Sequence, residues 1–189
     1  QSRQILLRGK KHDLKPKLHA DEMTPFRGAE LAAEVRAVSA EHLLFASDTG
    51  LKAMSKKGVV AVLLPAAAFS LMLGKYANAR KMIEIGVAVA LGTDFNPSCW
   101  VENQQIIIAL ACRQMRMTPA EAITATTIIA AHAINRAHEI GSLEPGKKAD
   151  VVILNVSNHK FLGYRFGANL VDKVIKEGKL VVDQGKRIN

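Results

Sequence analysis

The sequence predicts an α/β fold: half of an eight-unit barrel of parallel strands and helices, followed by a small β element. Strand-like stretches begin near residues 17, 41, 59 and 87, so they recur 18 to 28 residues apart. That is the length of a strand, a helix and two short loops. Two of them, Val59–Leu64 and Val87–Leu91, are continuously apolar, as strands buried on both faces are. The repeat fits either an open α/β sheet or the second half of a barrel, since a complete barrel needs about 250 residues. A helix over Arg3–Lys11 with no strand before it favours a piece of a longer protein.

Each element has a local reason. Lys17–Ala20 reads as the first strand, and Gly28–Val38 as a helix with Leu31 and Val35 on one face. Glu41–Phe45 reads as the second strand, with His42 inside it. Ser47 or Asp48 can cap a helix that ends at Gly58. Val59–Leu64 stops at Pro65, and a helix over Ala77–Ile85 ends at Gly86 and leads into Val87–Leu91. Gly92–Trp100 is a loop. Glu102–Met115 is a helix with Ile106, Ile107, Leu110 and Ala111 as its apolar stripe. Thr118–Pro119–Ala120–Glu121 is a capping box with Pro at the first helical position, opening a helix expected to reach about Asn135. Strands Asp150–Leu154, Val174–Ile175 and Leu180–Val182 close the chain around a turn at Glu177–Gly178.

Composition bounds the function. Of 189 residues 49% are hydrophobic and 23% charged, enough apolar surface to offset ordering entropy and exclude disorder. The longest apolar run, Val59–Phe69, holds Pro65 and falls short of the roughly 18 residues of a membrane span. Gln1–Lys17 has six basic residues and no apolar stretch suited to a signal peptide. Two cysteines make no disulfide framework, so a reducing cytoplasm is expected. The net charge of +9 is spread along the chain and lacks an aromatic stacking platform. It therefore argues for solvated helix faces and an anionic small substrate rather than nucleic acid.

Ionisable residues recur where strands end. His19 and Glu22 close the first strand, His42 lies in the second, and Asp94 follows the fourth. In parallel α/β folds the C-terminal strand ends form the functional face. A His and an Asp at two such ends are suitable ligands for zinc or iron, and metal binding acidifies water into a nucleophile. On this reading Asp94 ligates the ion and accepts a proton, while Glu22 and His42 orient water and substrate. The alternatives are ordinary ones: a hydrogen-bonded core histidine, and an aspartate that caps a helix. His12, His132, His138 and His159 read as structural or exposed. Cys99 lacks the strand-turn-helix elbow of a nucleophile.

Several stretches carry a resemblance. His19–Ala20–Asp21–Glu22, Gly28–Ala29–Glu30–Leu31–Ala32–Ala33–Glu34, Ser39–Ala40–Glu41–His42–Leu43, Leu63–Leu64–Pro65 and Gly92–Thr93–Asp94–Phe95–Asn96–Pro97 resemble the imidazolonepropionase family of the metal-dependent amidohydrolase superfamily. Gly141–Asp150 is similar to the superfamily's return from barrel to β-sandwich. The resemblance implies residues 1–140 as the C-terminal half of an amidohydrolase barrel, and 141–189 as strands of a composite sandwich. It implies His19 and Asp94 as ligands of one zinc or iron ion, and Glu22, His42 and Asp94 as catalytic. Glu22, Asn96, Ser98 and Cys99 become substrate contacts, although the family usually has small residues at the last two positions. Ile129 stands where relatives have Asn. The implied activity is hydrolysis of a cyclic amide by a cytoplasmic homodimer, with another amidohydrolase activity, such as deamination, or a non-catalytic packing role as alternatives. The family's His-x-His ligand pair is absent from these residues. With His19 and Asp94 as its only ligands, the chain alone is expected to be inactive and to hold zinc weakly.

Overall fold

Helix α1 (Ser2–Lys10) precedes a regular alternation in the computed structural model, which describes residues 1–188. The order is β1 (Lys17–Ala20), α2 (Gly28–Glu34), β2 (Ser39–His42), α3 (Asp48–Lys57), β3 (Val60–Leu63), α4 (Pro65–Ser70), α5 (Ala79–Glu84) and β4 (Val89–Leu91). The strands form one parallel sheet in the order β1-β2-β3-β4. Then come α6 (Gln104–Gln114), α7 (Pro119–Thr126) and α8 (Ile128–Ala133). A second, antiparallel sheet holds β5 (Val151–Leu154), β6 (Val171–Lys176), β7 (Lys179–Asp183) and β8 (Lys186–Arg187), with α9 (Phe161–Tyr164) between β5 and β6. A partial barrel with an added β unit is the result, as the strand spacing predicts. Among the described residues no helix is long and apolar enough to cross a membrane.

Several boundaries differ from the sequence expectation, each for a local reason. The helix expected over 28–38 stops at Glu34. Arg36 turns left-handed, at φ +50, and the Ala37 N–H reaches back to the Ala32 carbonyl, the hydrogen bond that closes a helix C-terminus. That early stop lets β2 begin at Ser39, paired with Lys17 of β1, and end at His42 rather than at Phe45. Pro65 ends β3 and also opens α4 from the first helical position. The single helix expected from 119 to about 135 breaks at Thr127, at φ −118 and ψ −99. There Thr124, Thr126 and Thr127 hydroxyls donate to carbonyls three or four residues back, a pattern that bends helices.

Register divides the parallel sheet into two faces. Ala20, Ala40, Ala61, Leu63, Val89 and Leu91 are buried under the helices with Ala29, Ala32, Leu51, Met54, Met82 and Ile107. Small side chains on both layers allow close approach. A Cβ on Gly28 would stand 2.8 Å from the Ala20 Cα, and one on Gly50 2.7 Å from the Ala29 Cβ. The other face carries Lys17, His19, Ser39, Glu41, Val60, Val62 and Ala90. Helix α8 covers part of it, packing Ala133 on Val60 and Ala90. Beside that contact Lys17 Nζ donates to the Ala133 carbonyl and pairs with Glu41, which also accepts from Ser39 Oγ. Ser39 and Glu41 are buried polar groups with their partners supplied.

The capping box at Thr118 and Glu121 forms in full, and Arg80 adds two hydrogen bonds to the same carboxylate. Those bonds, with the Thr118 N–H, hold the Glu121 carboxyl down at about 2. A carboxylate depressed in the folded state stabilises above its ordinary pKa and loses that contribution as pH falls. Glu121→Gln keeps a capping partner but removes the charge. Urea titration should show a loss of about 1–2 kcal/mol at pH 7, discounted for solvent screening. The difference should shrink from about pH 4.5 and vanish near pH 2.

Candidate active site

Three side chains meet where β1 and β2 end. His19 and His42 approach ring to ring, with 3.0 Å between His19 Nδ1 and His42 Nε2 and 4.7 Å between centroids. Glu22 lies beside both: its Oε1 is 3.4 Å from His42 Nδ1 and its Oε2 is 4.0 Å from His19 Nδ1. One ligand atom from each of the three falls within 4.8 Å of the others. Exposure is graded across the cluster, at 69% for the His19 side chain, 27% for Glu22 and 1% for His42.

Backbone geometry explains how His42 arrives there. In register it pairs with Ala20, and strict alternation would place it with Ala40 on the helix-covered face. Instead His42 has φ +71 and Leu43 φ +60, two consecutive left-handed residues outside glycine, each costing of order 1–3 kcal/mol. The Leu43 N–H donates to the Ala20 carbonyl and the Phe45 N–H to the Asp21 carbonyl. These two bonds tie the exit of β2 to that of β1.

Glu22 is placed by its neighbour. The buried Asp21 carboxylate accepts N–H bonds from Phe26 and Gly28 on Oδ1 and from Ala29 on Oδ2. It thus starts α2 and closes the 22–27 loop on itself. The sequence reading passed over Asp21, which lies seven residues ahead of the helix start, outside the adjacent position where a capping residue is sought. It also passed over the Lys17–Glu41–Ser39 network.

Asp94 follows β4 at the same end of the sheet, half-buried and left-handed at φ +55. It stands outside the mutually close group of His19, Glu22 and His42, but its charge is felt at both His42 and Cys99. Burial pushes the His42 pKa down, against the opposing pull of Glu22 and Asp94, and so disfavours the charged ring. Asn96 shapes the following turn: its amide donates to the Asp94 carbonyl and its Oδ1 accepts the Ser98 N–H. Ser98 is exposed, and its carbonyl accepts from Ser70 Oγ. Cys99 is buried with its thiol toward the Thr93 carbonyl, and burial pushes that thiol up. His12, His132, His138 and His159 are exposed, and none of them joins the cluster.

The donor set suits a transition-metal ion. Two imidazoles and a carboxylate are borderline ligands of the kind zinc and non-haem iron take. The buried His42 Nδ1, too poorly aligned with Glu22 at 3.4 Å for a hydrogen bond, is left without a partner. A polar atom in that state marks a site under constraint.

Both the sequence and the fold have known counterparts. A profile of the amidohydrolase family matches residues 13–181, and the chain belongs to that family. It is 58% identical over 187 residues to the imidazolonepropionase of Geobacillus sp. (strain WCH70), covering 98% of this chain and 44% of that protein. It is 54% identical over 189 residues to the imidazolonepropionase of Alkaliphilus metalliredigens (strain QYMF), covering 100% and 45%. The chain spans somewhat under half the length of the curated relatives it matches. An adenosine deaminase from Xanthomonas campestris, solved with bound zinc, superposes with a TM-score of 0.84 at 21% identity, over 100% of this chain and 50% of that one. That likeness is one of fold.

The Asp21 cap makes a prediction. Asp21→Ala removes an acceptor for three N–H groups, one of them buried, and should cost about 2–3 kcal/mol in urea unfolding. Asp21→Asn, which keeps one acceptor oxygen, should cost less.

Proposed function

We propose that this chain is part of an imidazolonepropionase, a metal-dependent hydrolase acting in histidine degradation. Its substrate would be 4-imidazolone-5-propanoate and its product N-formimidoyl-L-glutamate. What carries the reading is 58% identity to an enzyme of that name over 98% of the chain, joined to a His–Glu–His cluster at the strand ends. Residues 1–140 would supply the C-terminal half of the barrel and 141–189 strands of the sandwich. The relatives' further length would supply the rest of both.

In the complete enzyme His19 and Asp94 would help to hold one divalent ion, zinc or iron. Such an ion supplies Lewis acidity, polarising a carbonyl oxygen and acidifying water. The chain's own residues would handle protons. Glu22, partly exposed between two imidazoles, would take a proton from the attacking water together with Asp94, and return one to the ring nitrogen as the C–N bond breaks. Water adds across that bond: oxygen to the carbonyl carbon, a proton to nitrogen. His42 would hold the water by a hydrogen bond through a ring nitrogen, its burial disfavouring the charged form. Asn96, Ser98 and Cys99 would line the substrate side of the loop after β4. The substrate's carboxylate gives the net charge of +9 a partner, and a cytoplasmic homodimer is the assembly we expect.

The test uses the full-length enzyme, with kcat/KM and metal content measured at saturating zinc. Asp94→Asn keeps the shape but removes the charge and basicity, so kcat/KM should fall by about 10²–10⁴. His138→Ala, on an exposed residue, should change it less than twofold, since surface substitutions shift stability by about 0.5 kcal/mol or less. Ring opening without ammonia release is expected. Near-wild-type turnover by Asp94→Asn would remove Asp94 from the chemistry, and ammonia release would point to a deaminase.

A further inference from the structure

Asn96, Ser98 and Cys99 share one turn in the loop after β4, and that turn is closed from several sides. The Asn96 N–H donates to the Cys99 carbonyl at 3.2 Å, and the Cys99 N–H donates back to the Asn96 carbonyl at 3.0 Å. The Val101 N–H donates to the same Cys99 carbonyl. The Asn96 amide is committed at both ends, to the Asp94 carbonyl at 2.6 Å and to the Ser98 N–H at 2.8 Å. One amide N–H and one lone pair are left for a ligand, in an orientation that the turn dictates. Ser70 Oγ ties the Ser98 carbonyl to the end of α4 at 2.8 Å. On either side of the turn stand Phe95 and Trp100. Their ring centroids are 4.8 Å apart and their planes meet at 69°, the edge-to-face arrangement that aromatic pairs favour. Neither ring enters the hydrophobic core, and Trp100 is 71% exposed. Their contact with each other joins the two ends of the turn they flank.

We propose that Phe95 and Trp100 are positioning residues: their edge contact clasps the 96–99 turn and so presets Asn96, Ser98 and Cys99 for the substrate. This rests on the reading of those three as substrate contacts. A turn whose ends can part exchanges between a closed form and an open one. Apparent affinity is then the intrinsic affinity scaled by the closed fraction. An edge-to-face pair favours the closed form about 2- to 13-fold. Protons are handled elsewhere, by Glu22 and Asp94, so the clasp acts on KM and leaves kcat alone. Loss of binding common to ground state and transition state has that signature. The same opening uncovers Cys99, which is 1% exposed in the closed turn.

The test introduces Trp100→Ala into the full-length enzyme and measures kcat and KM for 4-imidazolone-5-propanoate. Iodoacetamide labelling of Cys99, followed by peptide mass spectrometry, reads opening without turnover. In a two-state turn the two readouts are linked: the rise in KM multiplied by the rise in labelling rate equals the factor by which closure is weakened. That product should be about 2- to 13-fold, with kcat within about twofold. Trp100→Phe keeps an edge contact and should return both readouts towards wild type. Cys112, half-buried on α6, should label at its wild-type rate. Unchanged KM together with unchanged Cys99 labelling would overturn the clasp. So would equal acceleration at Cys112, which marks general loosening, or a loss in kcat exceeding the rise in KM, which places the effect of Trp100 on Asp94. If the wild-type enzyme leaves the substrate unchanged, the functional reading fails, and Cys99 labelling alone still decides the clasp.

Discussion

Two left-handed residues at the end of β2 decide what the strand ends can do. A parallel strand sends alternate side chains to opposite faces, and in this sheet one face belongs wholly to the helices. Left to alternation, the His42 ring would join Ala20 and Ala40 beneath α2 and α3, in an apolar layer with no partner for it. The positive φ at His42 and Leu43 turns the ring to His19 instead. The local strain is offset by the bonds from Leu43 to Ala20 and from Phe45 to Asp21. The cluster exists because the backbone gives up a favourable conformation at one point.

That arrangement rests on a rigid frame built from small residues and one buried acid. Asp21 gathers three N–H groups from the start of α2, where negative charge also meets the positive end of the helix dipole. Gly28 allows the helix to sit directly on Ala20, and Gly50 allows α3 to sit on Ala29. A methyl group at Gly28 would push α2 off the sheet and carry the 22–27 loop with it, and one at Gly50 would push α3 away from α2. Packing and chemistry are therefore linked through Asp21. The residue that begins the helix is the covalent neighbour of the one that touches both histidines.

Much of this was legible in the sequence, and what was not has physical causes. Periodicity and apolar runs located all four parallel strands, because burial on both faces leaves a continuous apolar signature in β3 and β4. Side-chain capping located α3 and α7, since Ser47 and Thr118 act through their own neighbours. The gathering of His19, Glu22 and His42 at one end followed from strand ends being shared in a parallel sheet. The end of β2 was misplaced because Leu43, Leu44 and Phe45 continue an apolar run, while the left-handed turn at His42 has no glycine to announce it. The break at Thr127 was hidden because three threonine hydroxyls cause it jointly. The separation of Asp94 from the closest group depends on sheet width. β1 and β4 lie at opposite edges, and no local pattern encodes that distance.

The same width sets the electrostatics of the site. His42 and Cys99 lie buried, and burial moves the His42 pKa down and the Cys99 thiol up. His19 faces solvent, and its interactions are screened accordingly. Electrostatic attraction strengthens several-fold as water leaves a site, so whatever covers the exposed flank of His19 acts on every charge in the cluster at once. The fixed side supplies geometry through Asp21, Gly28 and the turn at His42. The open side leaves the local dielectric to be set by its occupant, which makes His19 the point where binding at this face is converted into a change in the chemistry of Glu22 and His42.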